Sequence, residues 1–174
     1  MVISAGRKFV PLTLNILTIS DSRDENTDKS GNYLRQAAIE AGHKVGEKLI
    51  VKDDRYQIRA HLSRWIAAEE VQVIVTTGGT GFSHRDITPE AIGPLLDKTI
   101  PGFGELFRSL SLAQIGTSTV QSRAFGGQAN DTFIFALPGS LRACQLGWEE
   151  ILRQQLDYSH QPCNFVELLP NIEP

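Results

Sequence analysis

The segment Gly78-Gly79-Thr80-Gly81-Phe82-Ser83-His84-Arg85-Asp86 concentrates the groups best suited to chemistry. Its glycines allow positive φ and close approach of the main chain to a ligand. Amides exposed in such a turn can line an anion-binding concavity. Arg85 offers a planar fork that matches phosphate. Asp86 can hold Mg²⁺, an ion that commonly takes one or two carboxylates plus substrate phosphates. Together they suggest a phosphorylated ligand accompanied by a divalent cation. The Lys-Ser/Thr ending of a P-loop is missing, and the glycine spacing is not that of the dinucleotide fingerprint. On these residues alone a plainer reading stays open: a tight turn without a ligand, followed by a surface ion pair that contributes little.

Three further points could join this one. Asp53 and Asp54 form a second acidic spot. Adjacent acids at a helix start commonly act as caps, but one that converged with Asp86 could share a metal ion bound to a triphosphate. Ser20-Asp21 and Ser30-Gly31 flank a polar loop, and Ser30-Gly31 at a helix start can offer amides to an anion or simply cap the helix. Pro138-Gly139-Ser140 repeats that logic, with Ser140 as cap. His84 is the histidine near the glycine turn; it could contact a ligand but is not expected to hold a metal.

The elements that must position these residues follow from periodicity. Leu12–Ser20, Val45–Val51 and Val71–Thr77 read as strands, the last apolar enough to be covered on both faces. Leu34, Ala37, Ala38 and Ala41 mark one helix face after a cap at Ser30, with Gly42 ending the helix. Ile58, Leu62, Trp65 and Ile66 mark another. Strands alternating with helices imply a parallel sheet with right-handed crossovers, and such sheets bind ligands beyond the carboxyl ends of their strands. Ser20-Asp21, Asp53-Asp54 and Gly78–Asp86 are therefore expected along one edge.

Further on, Thr88 and Pro89 fit the cap and first position of a short helix, which Pro94 should bend. Residues 100–104 read as a loop, and Glu105–Leu112 as a helix with Leu106, Phe107 and Leu110 inward. Ser122–Gly127 and Thr132–Leu137 read as strands joined at Asn130-Asp131. A last helix carries Leu141, Cys144, Trp148, Ile151 and Leu152. The expected fold is a three-layer α/β/α sandwich around a mostly parallel sheet, with a small β-hairpin extension. Residues 1–174 form one domain, with 1–10 a flexible lead-in. Residues 158–174 form a tail whose Cys163, Phe165, Val166, Leu168 and Leu169 should pack on the domain or on a neighbouring subunit.

Composition excludes several classes. A net charge of −3 over 174 residues leaves no basic footprint for nucleic acid. No apolar run approaches the ~20 residues of a membrane helix. The N-terminus lacks the apolar core of a signal peptide, which points to a cytoplasmic protein. Cys144 and Cys163 are too few and too far apart for a metal knuckle or redox pair, and Cys144 reads as a buried structural thiol.

Taken together, Leu17-Thr-Ile-Ser-Asp21, Asp28-Lys-Ser-Gly31, Thr76-Thr-Gly-Gly-Thr-Gly81, Arg85-Asp-Ile-Thr-Pro-Glu90, Pro101-Gly-Phe-Gly-Glu105 and Leu137-Pro-Gly-Ser140 resemble the MoaB/MogA family of molybdenum cofactor biosynthesis proteins. The resemblance extends over about Pro11 to Asn164. The stretch Ser109–Arg123 and the end Gln161–Phe165 look more like the MoaB branch. The resemblance implies Mg-ATP-dependent adenylylation of molybdopterin, with pyrophosphate released, by an oligomer of identical subunits. MogA-like members are trimers and MoaB-like members hexamers, so a hexamer is favoured. It matches Asp86 to the catalytic, Mg²⁺-associated aspartate and Asp53 to the second acidic position, with Asp54 one residue away. It matches Ser20, Asp21, Ser30, Gly31, Gly78, Gly79, Thr80, Gly81, Arg85, Pro138, Gly139 and Ser140 to the pterin and nucleotide pocket. The alternative is a catalytically silent molybdopterin-binding protein, because some MoaB-branch members lack the activity. The Arg85-Asp86 pair is retained here and favours a working site.

Overall fold

The computed structural model describes residues 6–170 and 172. Residues 1–5 of the expected lead-in and 171, 173 and 174 of the tail lie outside this range. Strands β1 (Thr13–Ile19), β3 (Val73–Thr77) and β6 (Thr132–Leu137) are buried almost throughout. Their unbroken apolar runs reflect cover on both faces. With β2 (Lys44–Val51), β4 (Lys98–Ile100) and β5 (Phe125–Ala129) they form one sheet of order β2-β1-β3-β6-β5-β4. The first four strands in that order are parallel; β5 runs antiparallel to both β6 and β4. Asn130 and Asp131 join β5 to β6 with φ of 45° and 63°, the pair of positive values a two-residue I′ turn requires. The hairpin is thus built into the sheet, and its second strand is central.

Side chains alternate along each strand and feed two cores. Leu14, Ile16, Val75, Phe135 and Leu137 meet helices α1 (Lys29–Glu40), α4 (Pro101–Ile115) and α5 (Leu141–Gly147) on one face. Leu17, Ile19, Ile74, Ile134 and Ala136 meet α2 (Arg55–Ile66) and α3 (Thr88–Ile92) on the other. This is the three-layer sandwich. Helix α5 continues through a π-helical turn, Trp148–Leu152. Cys144 is buried in the core beside the Thr77 hydroxyl, 3.1 Å away. Burial pushes its thiol up to about 11, with the Thr77 bond opposing, so it stays neutral and structural.

Several local expectations are corrected. Asp28, not Ser30, caps α1: its carboxylate accepts the Gly31 amide at 2.9 Å. Being fully buried and bonded to the Thr18 hydroxyl at 2.7 Å, it starts the helix earlier. Gly42 does follow that helix, at φ 96°. Ile87 occupies the cap position of α3, because the Thr88 hydroxyl donates instead to Gly78 O at 2.8 Å. Residues 100–104 are not a loop: α4 begins at Pro101, where proline suits a first helical position. That start leaves Phe103, Phe107 and Ser111 on the buried face at i, i+4, i+8, and Leu106 exposed. In the tail, Phe165 packs on Phe133 at 4.9 Å between centroids, whereas Cys163 and Leu168 are exposed. In the lead-in, Arg7 pairs with Glu167 at 2.7 Å.

Candidate functional site

A cavity of about 510 Å³ opens where β1, β3 and β6 end. Its wall brings together Ser20, Asp53, Gly78, Gly79, Thr80, Gly81, Arg85, Asp86, Pro138, Gly139 and Ser140. Residues up to 120 positions apart converge because the three parallel strands stop at one level and each hands on to a loop. Asp21, Ser30, Gly31 and His84 lie outside this wall.

The glycine turn is fastened on two sides. The Gly78 amide donates to Leu137 O at 3.0 Å, its carbonyl accepts from Thr88, and the Thr88 amide donates to Gly79 O at 2.9 Å. Gly78 has φ 106°, and a Cβ there would lie 2.1 Å from Ile19 O. Only glycine fits. The two acids sit against the same turn. A Cβ on Gly79 would lie 3.1 Å from Asp53 Oδ1, and one on Gly81 would lie 2.8 Å from Asp86 Oδ2.

Asp53 and Asp54 have separate tasks. Asp54 caps α2, accepting from the Tyr56 and Gln57 amides at 2.9 and 2.8 Å. Asp53 faces the cavity. Burial raises its carboxyl above the usual range, and the charges of Asp21 and Asp86 push it the same way against Arg85. Its ionised form therefore lacks sufficient countercharge. For Asp86, burial acts upward, but hydrogen bonds from Ser83 and the Gly81 amide, with the Arg123 charge, outweigh it and hold the carboxyl below its ordinary value. Asp86 Oδ2 accepts the Ser83 amide at 2.8 Å.

Asp21 works from outside the wall. Its carboxylate accepts the Asp53 amide at 3.2 Å and pairs with Arg85 at 2.6 Å. The Arg85 guanidinium holds the Asp21 carboxyl below the usual carboxylate range, a hydrogen bond being the largest cause. Ser30 also acts from behind, donating to Gly139 O at 2.8 Å. The Gly31 amide is engaged by Asp28, so this helix start does not present it to an anion as expected.

Among the described residues, no three His, Cys, Asp or Glu side chains are grouped to hold a metal ion. Two carboxylates against one turn, one of them short of countercharge, still fit Mg²⁺ that arrives with phosphates.

Residues not foreseen complete the site. Phe107, Ser111 and Ile115 of α4, with Ser118, Gln121 and Ser122 after it, form a wall of apolar and hydroxyl groups. The i, i+4, i+8 spacing along α4 was the available signal, masked by reading its start as a loop. Arg23 also lines the cavity and donates to Gly139 O at 2.7 Å. Arg123 fastens the outer loop: its side chain donates to Gly81 O and Asp86 O, each at 2.8 Å, and pairs with Glu90. Its own amide donates to Thr80 O at 3.0 Å. Nothing local in the sequence marks an arginine that reaches back some forty residues.

The chain matches, over residues 3–158, the family model described as a probable molybdopterin binding domain. It is 55% identical over 158 residues to molybdenum cofactor biosynthesis protein B of Escherichia coli (strain K12), covering 91% of this chain and 93% of that protein. Identity to the protein of the same name from Bacillus cereus is 44% over 161 residues, covering 91% and 95%. A crystal structure of a molybdenum cofactor biosynthesis protein B superposes with a TM-score of 0.82 at 45% identity, over 84% of this chain and 92% of that one. The tungsten cofactor synthesizing protein MoaB from Pyrococcus furiosus superposes with a TM-score of 0.73 at 35% identity, over 83% and 92%.

Proposed function

Since the chain belongs to the MoaB/MogA family of molybdenum cofactor biosynthesis proteins, we propose that it is a molybdopterin adenylyltransferase acting with Mg-ATP. An oxygen of the molybdopterin phosphate forms a bond to the α-phosphorus of ATP. The bond from that phosphorus to the α,β-bridging oxygen breaks, and pyrophosphate leaves with the electron pair. The nucleophile is already anionic, so no general base is needed. The barrier lies in bringing two anions into line, which calls for positioning and charge neutralisation. Asp53 and Asp86 would hold the Mg²⁺ that accompanies ATP, and the bound ion offsets phosphate charge. The main chain of Gly79–Gly81 provides the surface for the phosphates, and Arg85, its charge offset by Asp21, lines the same end. The observation that carries this reading is the pair of carboxylates packed against the glycine turn, Asp53 short of countercharge.

The same cavity would serve a catalytically silent oligomeric carrier of molybdopterin. On that side stands the commitment of Arg85 to Asp21 at 2.6 Å. Incubation with molybdopterin, ATP and Mg²⁺ separates the two. The enzyme yields adenylyl-molybdopterin and pyrophosphate; the carrier binds pterin and yields neither. Asp86→Asn should lower turnover by roughly 100-fold or more, the scale of losing one transition-state electrostatic contact, with folding unchanged. Near-normal turnover in that variant would remove Asp86 from the mechanism. The proposed homo-oligomer, hexamer before trimer, would cover the exposed Leu112, Ile115 and Val120; light scattering measures its mass.

A further inference from the structure

The cavity crosses the crest of the sheet, and its two sides differ in charge. On the side of α2 and α3 stand Asp53 and Asp86, just before those helices. On the side of α1 and α5 stands Arg23, held by Gly139 O, which also accepts from Ser30 of α1. Arg23 and Arg85 are the cations of the wall among the described residues. They are not equivalent. Arg85 is neutralised by Asp21 at 2.6 Å. The acid nearest Arg23 is Asp28, 3.8 Å away and fully buried. Asp28 is already satisfied by Lys48 at 3.0 Å, the Thr18 hydroxyl at 2.7 Å and the Gly31 amide at 2.9 Å. Arg23 therefore keeps most of its charge for the cavity.

We propose that Arg23 binds the phosphate of the attacking substrate, so that the site sorts its two substrates by charge: a bare phosphate monoester on the Arg23 side, a metal-complexed polyphosphate on the Asp53–Asp86 side. The proposal rests on the adenylyltransferase reading and assigns its two substrates to places. A phosphate dianion without metal is repelled by two carboxylates against one turn, and metal-bound polyphosphate is not. The Arg23 fork is fixed by the Gly139 carbonyl at 2.7 Å, and the Arg23 amide donates to the Ser20 hydroxyl oxygen at 3.2 Å. Little side-chain freedom is left to lose on binding, and the planar fork suits two phosphate oxygens at once. The hydroxyls of Ser20, Ser22 and Ser140 lie in the same wall and can donate to the remaining oxygens.

The first probe is inorganic phosphate in metal-free buffer, titrated into the full-length protein and followed by amide chemical shifts. Arg23→Gln should weaken phosphate binding by roughly tenfold or more, the scale of a hydrogen bond to a charged group. Arg85→Gln should change it by less than about threefold, because Asp21 already offsets that charge. Arg23→Lys preserves a point charge without the fork and should fall between wild type and Arg23→Gln; it stands in if the glutamine variant fails to fold. In turnover assays Arg23→Gln should raise KM for the phosphate-bearing pterin and leave KM for Mg-ATP unchanged, a split that a merely structural defect does not produce. Phosphate binding that is undetectable in the wild type, equal in the wild type and Arg23 variants, or lost in Arg85→Gln instead, overturns the assignment. If phosphate binding follows Arg23 but no adenylyl product forms, the assignment stands and the adenylyltransferase reading falls.

Discussion

Replacing Gly78 by alanine tests the geometry from which the site is built. The new Cβ would lie 2.1 Å from Ile19 O, where ordinary contact begins at 3.4 Å, and φ is 106°. The clashing atom belongs to the backbone of the strand beside β3, so no rotamer relieves it. Backbone held in such a region costs about 1–3 kcal/mol, and overpacking adds about 1–3 kcal/mol. At roughly 2–4 °C per kcal/mol for a domain of this size, the unfolding midpoint should fall by on the order of 10 °C. The same strain must move the turn by about an ångström, a misplacement that can cost about 100-fold in rate. Gly102→Ala is the control: nothing lies within 4 Å of its added Cβ. An alanine inside α4 should be neutral or stabilise by up to about 1 kcal/mol. Scanning calorimetry and ATP-dependent pyrophosphate release measure both effects. A Gly78→Ala protein that melts within about 2 °C of wild type and turns over normally would refute the reasoning.

Asp54→Ala should cost about 1 kcal/mol by removing the α2 cap and leave turnover alone. Asp53→Asn should do the reverse, raising the unfolding midpoint while abolishing turnover, because the folded state disfavours the charged Asp53; identical behaviour of the two variants would erase the distinction drawn between them. Arg123→Ala removes donors to Gly81 O and Asp86 O. Deuterium exchange should quicken in residues 80–90 by on the order of 100-fold, two charge-assisted bonds being lost; an unchanged loop contradicts the role given to Arg123. Burial holds buried His43 near pKa 4 against an ordinary 6.5, with Asp157 acting weakly the other way. The unfolded chain therefore takes up a proton below about pH 6.5 that the folded chain refuses until about pH 4, and folding stability drops as pH falls through that window. Urea unfolding at pH 7 and pH 5 should show about 2 kcal/mol of this loss in wild type and not in His43→Gln; equal losses in both count against it.

The strongly patterned part of the chain could be read directly. β1, β3 and β6 are apolar runs ended by glycine or proline or by a polar loop, and the parallel-sheet rule places the loops after them at one edge. Hence the wall from Ser20 to Ser140 was legible, including Asp53 and Asp86. Neighbouring acids such as Asp53 and Asp54 were not separable, because both suit a helix start and only the helix phase shows which one caps. The start of α4 was obscured because Gly102 and Gly104 lower helix propensity; Gly104 is tolerated there because a Cβ would lie 2.5 Å from Ala124 O. Asp21, expected in the pocket, instead holds Arg85 and the Asp53 amide. Arg23 and Arg123 act through carbonyls distant in sequence, and no periodicity encodes that.

The sheet order has a consequence in time. β3 lies between β1 and β6, yet β6 comes more than fifty residues later in the chain. During synthesis at about 5–20 residues per second, several seconds separate the emergence of the glycine turn from that of Pro138–Ser140. Through that interval one edge of β3 has no partner, an arrangement that invites association with other chains. The wall of the cavity closes only when the last central strand arrives, so a ligand can stabilise the finished fold but cannot guide its early half.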